Sequence, residues 1–332
     1  MPALLINSLA AAPAFAQNTV AALPAANSGD SAWILTASAL VLMMTLPGLA
    51  LFYGGLVRAK NFLSVLVQCG AVAALASVLW IVIGYSLAFS GNGNGFIGSF
   101  ENVMFNGLLT SIRDGQTTGE LAFALFQMTF AIITPALIVG AWVERARFGW
   151  VVAFSGLWSL IVYVPVTRWV WGSGFLADQG VIDFAGGIVV HTTAGVSALV
   201  VALMLGKRIG FPRTLMLPHS PALTVAGAGL LWVGWFGFNA GSNLEANGTT
   251  ALAFVNTLFA TDERGQSGWD ISAAALEKAR GGGTMVLNLP PNWETYDSQY
   301  SSTFTDIRRA RDTQGWAVHP VTTWEQLVDF AR

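Results

Sequence analysis

The chain has 332 residues, 54% of them apolar and only 10% charged, against about a quarter charged in ordinary soluble domains. Residues 1–260 hold 9 Lys/Arg and 8 Asp/Glu, whereas residues 261–332 hold 7 and 10. So sparse and nearly neutral a first part argues against a water-facing enzyme and against nucleic acid as the main partner.

In chain order, residues 3–16 are apolar and end in Ala14-Phe15-Ala16, and a polar segment follows as far as Asp30. This pattern predicts a signal peptide cut after Ala16, with residues 1–30 forming a leader and a periplasmic segment. Crossing the hydrocarbon takes about 20 apolar residues as a helix. Charge-free runs of that length lie at 33–56, 62–89, 121–142, 148–167, 184–206 and 221–242, so six spans are predicted. The sole cysteine, Cys69, lies within the second run and reads as a packed core residue, with no disulfide or metal pair to join. Pro135 and Pro165 lie inside spans and should kink them. Gly187, Gly195, Gly227, Gly229, Gly234 and Gly237 would let neighbouring backbones approach closely.

Basic residues set the expected orientation. Arg58 and Lys60, Arg145 and Arg147, and Lys207, Arg208 and Arg213 fall in alternate connections, while the opposite side has Arg113 and Arg168. The positive-inside rule then puts the N-terminus outside, in agreement with a signal peptide. After Ser242 an apolar stretch from Thr249 to Ala260 begins a seventh span, but twelve residues rise only about 18 Å. The expected organisation is therefore a membrane domain over residues 31–260 and a polar tail over 261–332. The tail should hold a helix at 271–280, a strand at Thr284–Leu289, a Pro290-Pro291 break and a last helix from Thr323. Its expected fold is small and α/β-like, with no catalytic motif and no cofactor or metal site.

Ionisable groups inside spans are functional candidates. His191 stands in the fifth run with Gly187 and Gly195 a turn away on either side, a stripe that would admit another helix beside the imidazole. Asp183 begins the same helix and reads as its N-cap, a role that does not exclude a second one, since a carboxylate near the outer mouth also favours cations. Phe126 and Phe130 are four residues apart on span three, Phe238 and Ser242 are four apart on span six, and Trp171 ends span four. Aromatic faces attract a small cation and a hydroxyl oxygen accepts its proton, but ordinary core aromatics would show the same spacing.

Four stretches carry a resemblance: Phe52-Tyr53-Gly54-Gly55-Leu56-Val57-Arg58-Ala59-Lys60-Asn61, then Phe126-Gln127-Met128-Thr129-Phe130 with Gly140-Ala141-Trp142-Val143-Glu144-Arg145, then Asp183-Phe184-Ala185-Gly186-Gly187-Ile188-Val189-Val190-His191, and Gly234-Trp235-Phe236-Gly237-Phe238-Asn239-Ala240-Gly241-Ser242. From about Ala32 to Ala260 the chain resembles the ammonium transporter (Amt/Mep/Rh) family, bacterial Amt type. The resemblance implies an all-α polytopic membrane protein, with ammonium bound outside by Trp171, Phe130 and Ser242. It further implies a gate of Phe130 and Phe238, a structural Asp183, and His191 as the first of two pore histidines. Homotrimers in the bacterial inner membrane, nitrogen uptake and a cytoplasmic PII-type regulatory protein are implied in the same way. Family members have eleven spans in two inverted halves, and here the pattern stops near Ala260. Neither His219, at a loop edge, nor His319, in the polar tail, matches the second pore histidine. An incomplete transporter with impaired conduction is thus expected. The alternatives are a membrane-anchored sensor or enzyme working through its tail, and a hybrid reading frame.

Overall fold

Within hydrocarbon every backbone N–H and C=O must be bonded inside the protein, and a long apolar run meets that demand alone only as a helix. The structure is a computed structural model and describes residues 26–214, 216–259, 285–287 and 318–320. Among these, six helices are long and apolar enough to cross a membrane: α1 (Ser28–Leu56), α2 (Ala59–Phe89), α3 (Glu120–Trp142), α4 (Phe148–Asp178), α5 (Gly187–Leu205) and α6 (Pro221–Gly241). Each coincides with a predicted run, so the chain is a multi-pass helical membrane protein. The largest boundary difference is in α4, which was expected to end at residue 167. It continues to Val170, breaks, and resumes as a single turn, Phe175–Asp178. The seventh helix, α7 (Gly248–Phe259), starts as expected and runs to the edge of the described residues. Part of the predicted tail strand is present as β1 (Met285–Leu287), paired in parallel with β2 (Val318–Pro320). The expected signal peptide and both tail helices lie outside the described residues.

Four spans are not plain α-helices. Wider π-type turns occupy Met44–Leu49 in α1, Trp80–Gly84 in α2, Ser159–Tyr163 in α4 and Gly187–Thr192 at the start of α5. The one in α4 directly precedes Pro165, where the missing N–H demands a local rearrangement. Pro135 comes just before the step at Ile138 that separates Glu120–Leu137 from Val139–Trp142. A third site was not anticipated: Leu46 is extended (φ −132°, ψ 109°) ahead of Pro47, which breaks α1 near its middle.

The glycine stripes divide into two groups. A Cβ on Gly237 would meet Leu40 Cβ at 2.6 Å, and one on Gly241 would meet Ala37 Cβ at 2.7 Å and the Phe126 ring at 2.9 Å, so α6 packs backbone-close against α1. Gly195 and Gly229 have open space beside them, and Gly187 has only the Asp183 carboxylate at 3.9 Å. The expectation that a helix comes close to His191 along Gly187 and Gly195 is therefore not met among the described residues.

Connections gather at two ends. At one, Glu144 of the α3–α4 connection accepts from Arg58 Nε and Nη2, both at 3.0 Å, and from Asn61 at 2.5 Å, with Arg208 of the α5–α6 connection at 3.9 Å. Its side chain is almost fully buried, and its φ of 65° is unusual for a residue with a Cβ. Arg145 beside it donates to the backbone oxygens of Ala202 and Gly206, which closes the C-terminus of α5. All seven basic residues predicted for one side lie at this end, and among the described residues Glu144 is the single carboxylate beside them.

The opposite end carries the start of α1 and the α2–α3, α4–α5 and α6–α7 connections. Seven carboxylates sit there among the described residues (Asp30, Glu101, Asp114, Glu120, Asp178, Asp183, Glu245), with two guanidiniums. Arg168 is buried and donates to the carbonyls of Asn94 and Ser90 at 3.0 Å, while Arg113 pairs with Glu120 at 3.1 Å.

Candidate functional site

The site begins at the turn that leads into α5. Asp183 accepts four backbone N–H groups through its carboxylate: Gly186 and Gly187 on Oδ1, at 2.6 and 2.8 Å, and Ile188 and Val189 on Oδ2, at 2.8 and 2.9 Å. These are the donors that a helix start leaves free, and a carboxylate is favoured there by the helix dipole. Asp183 thus satisfies the free amides of the α5 start as a capping carboxylate would, although Gly186 holds the N-cap position itself. The turn requires Gly186, whose φ is 101° and where a Cβ would meet Val190 Cγ2 at 2.7 Å. Asp183 also holds Trp171, because the indole N–H donates to its backbone oxygen at 2.7 Å. A residue at the end of α4 is in this way given a fixed ring plane by the start of α5.

That ring borders a cavity of about 160 Å³ at the carboxylate-rich end, lined also by Phe130, Ser242, Asp183, Arg113 and Phe123. Trp171 meets Phe130 edge-on, with centroids 5.5 Å apart and planes at 82°. Ser242 donates its hydroxyl to Phe238 O at 2.8 Å, which leaves the lone pairs of Oγ free to accept from a guest. The three residues expected to form an outer cation site therefore surround one cavity, although α3, α4 and the end of α6 supply them separately.

Next to the cavity lie the two phenylalanines expected to form a gate. Phe130 and Phe238 are buried, with centroids 4.5 Å apart, and Phe126 packs edge-on to Phe130 at 5.0 Å. His191 follows, 5.8 Å from Phe238 and stacked on Trp235 at 6.0 Å with planes 3° apart. The histidine stands in the π-type turn of α5, and its side chain is exposed. Among the described residues neither ring nitrogen has a hydrogen-bond partner, so both remain able to engage a small polar guest.

Three features were not anticipated. Gln127 and Gln116 also line the cavity, and the Oε1 atom of each is buried with no donor. Gln127 enters the sequence pattern only as part of a motif, and its signal is an amide within an apolar span. Gln116 lies in a connection where nothing in the pattern distinguishes it. Arg113 lies over the rings of Phe89 and Phe123, at 5.1 and 4.5 Å from their centroids, and Glu120, its partner, also accepts the Tyr85 hydroxyl.

A family profile described as the Ammonium Transporter Family matches residues 32–265. An ammonium transporter of Aquifex aeolicus (strain VF5) is 48% identical over 236 residues, which is 71% of this chain and 55% of the relative. The chain spans about half the length of the curated relatives it matches. Among solved structures, Candida albicans Mep2 aligns at a TM-score of 0.66 and 38% identity, over 71% of this chain and 53% of that one. A protein described as a sensor Amt protein aligns at 0.65 and 30%, over 70% and 59%.

Proposed function

The chain belongs to the ammonium transporter family, and from that membership we propose that residues 31–260 form the first half of a pathway for ammonium or ammonia. Trp171, Phe130 and Ser242 receive the cation, Phe130 and Phe238 gate it, and His191 lines the pore below. The single observation that carries this reading is the succession of contacts: a cavity bordered by Phe130, the tilted Phe130–Phe238 pair, then an imidazole with free nitrogens beside Phe238. Ammonium has the size of potassium, so its recognition calls for acceptors and aromatic faces rather than charge alone. A low-dielectric lumen disfavours the charged form and favours proton loss near the gate. An imidazole, with one donor and one acceptor nitrogen, suits relay of that proton or a hydrogen bond to ammonia.

The basic end faces the cytoplasm in this reading, with the N-terminus outside a bacterial inner membrane after removal of a signal peptide. Homotrimers and a PII-type protein at the cytoplasmic face belong to the same proposal, as does a separate unit over residues 261–332. Because His191 is exposed among the described residues, passage below the gate needs further polypeptide to cover it. A second reading, sensing at the outer site without passage, draws support from the likeness to the sensor Amt protein.

Thermal unfolding of the purified chain in detergent tests the site, since a ligand that binds only the folded state raises the unfolding temperature. Ammonium chloride should stabilise it over sodium chloride. Trp171→Leu and Ser242→Ala should each weaken that effect by about 2- to 30-fold in affinity, the equivalent of roughly 0.5–2 kcal/mol. Equal stabilisation by both salts, or unchanged affinity in both variants, refutes the site. In liposomes holding a pH-sensitive dye, rapid ammonium-dependent flux lost in Phe130→Ala would show that the chain conducts unaided. Binding without flux would favour the sensing reading or the uncovered pore.

A further inference from the structure

Buried amide oxygens in native proteins nearly always have a donor, and two in the outer cavity have none. Gln127 is 7% exposed and stands between Phe126 and Phe130 on α3, and its Oε1 has no partner. Gln116 comes from the α2–α3 connection, and its Oε1 is likewise buried and unpartnered. Both residues line the cavity bordered by Trp171, Phe130 and Ser242.

The connection that carries Gln116 is firmly held. Ile112 bridges to Gly119, Arg113 N donates to Thr118 O at 3.0 Å, and Glu120 N donates to Ser111 O at 2.9 Å, which makes a short hairpin. Gln116 N closes its turn on Arg113 O at 3.0 Å, and Thr118 Oγ1 anchors it to Leu244 O at 2.9 Å. Arg113 is fixed by Glu120 and by two aromatic rings. A group presented by such a turn loses little freedom when it binds a guest.

We propose that Gln116 and Gln127 are ligands of the outer cation site, their amide oxygens accepting N–H bonds from bound ammonium alongside Ser242 Oγ. Three oxygens and an aromatic face match the four donors of a tetrahedral ammonium ion. The same set leaves a spherical alkali cation under-coordinated, so the two amides contribute selectivity as well as affinity. This rests on the outer site proposed above.

The test measures ammonium- and potassium-dependent thermal stabilisation of the full 332-residue chain in detergent, for Gln116→Leu, Gln127→Leu and Gln116→Glu. Each leucine variant should bind ammonium about tenfold more weakly, since a hydrogen bond to a charged group is lost. Gln116→Glu should bind both cations more tightly and discriminate less between them, a gain that a merely structural glutamine would not yield. Leucine variants that unfold at the wild-type temperature in sodium chloride yet keep wild-type ammonium affinity overturn the proposal. Should Gln127→Leu fail to fold, the two variants of the loop-borne Gln116 decide the matter. Trp171→Leu separates the failures: if it weakens binding and the glutamine variants do not, only the amide ligands are wrong, and if it too has no effect, the site itself is wrong.

Discussion

Glu144 joins three connections at the basic end, and its removal should be costly in a way that depends on the replacement. Its carboxylate accepts two parallel bonds from Arg58 at 3.0 Å, a third from Asn61, and has Arg208 at 3.9 Å. A hydrogen bond to a charged group contributes about 1.5–3 kcal/mol, but the Arg58 side chain is 31% exposed and recovers water when its partner is lost. Discounting the bidentate pair by half gives roughly 1.5–3 kcal/mol for Glu144→Ala. Glycine at the same position removes the same contacts but relieves the left-handed backbone (φ 65°), which costs a residue bearing a Cβ about 1 kcal/mol. Glu144→Gly should therefore be the milder substitution by about that amount, the reverse of the order in a helix. Burial alone would raise the carboxyl pKa, but the bonds from Arg58 and Asn61 outweigh it and hold it below the usual carboxylate range. A depressed pKa contributes stability that is fully present above the ordinary carboxyl value and is lost as pH falls through the lowered one. The gap between wild type and Glu144→Gln should accordingly be full at neutral pH and shrink in strong acid. Unfolding by SDS titration in mixed micelles across pH measures all three variants. Alanine equal to or better than glycine, or a wild-type advantage that grows on acidification, would refute this account.

Two other outcomes follow from the described geometry. Gly186→Ala should strain the turn that delivers four amides to Asp183, lowering stability by about 1–3 kcal/mol and loosening Trp171, with ammonium-dependent stabilisation falling in parallel. Unchanged unfolding in that variant would show that the cap does not depend on a positive φ. Single cysteines at the exposed positions Arg147 and Asp114 should label from opposite sides in intact cells, with only Asp114→Cys reached by an impermeant reagent; outside labelling at 147 would invert the topology.

The spans were legible because charge-free runs of membrane length have few other ways to satisfy their backbones. Their irregularities were less so. Pro135 and Pro165 announced themselves, but the break at Leu46 and Pro47 lies in a run whose hydropathy hides it, and π-type turns leave no mark in an apolar pattern. Spacing paired Phe126 with Phe130, since both belong to one helix. That Trp171 would meet Phe130 depends on how α3 and α4 pack, and among 21 Phe and 13 Trp nothing local selects that pair. That Asp183 would cap α5 was legible because a carboxylate at a helix start suits the free amides, but which four it reaches depends on the turn through Gly186. Gln116 was invisible for a plainer reason: glutamine in a polar connection is ordinary, and its importance comes from the hairpin that turns it inward.

The division of charge between the two ends of the described residues sets up a field along the proposed path. Among the described residues, a cation approaching the proposed outer site meets an end with seven carboxylates and two guanidiniums, both of the latter engaged by partners, while the far end has seven cations and one buried carboxylate. Such a field raises the local concentration of positive ions at the mouth and speeds their encounter. It also acts over a screening length of only about 8–10 Å at physiological ionic strength. Capture of ammonium from dilute, low-salt surroundings should thus be faster than from saline ones at the same ammonium concentration, with the rate of arrival changing and the residence time in the cavity staying as it was.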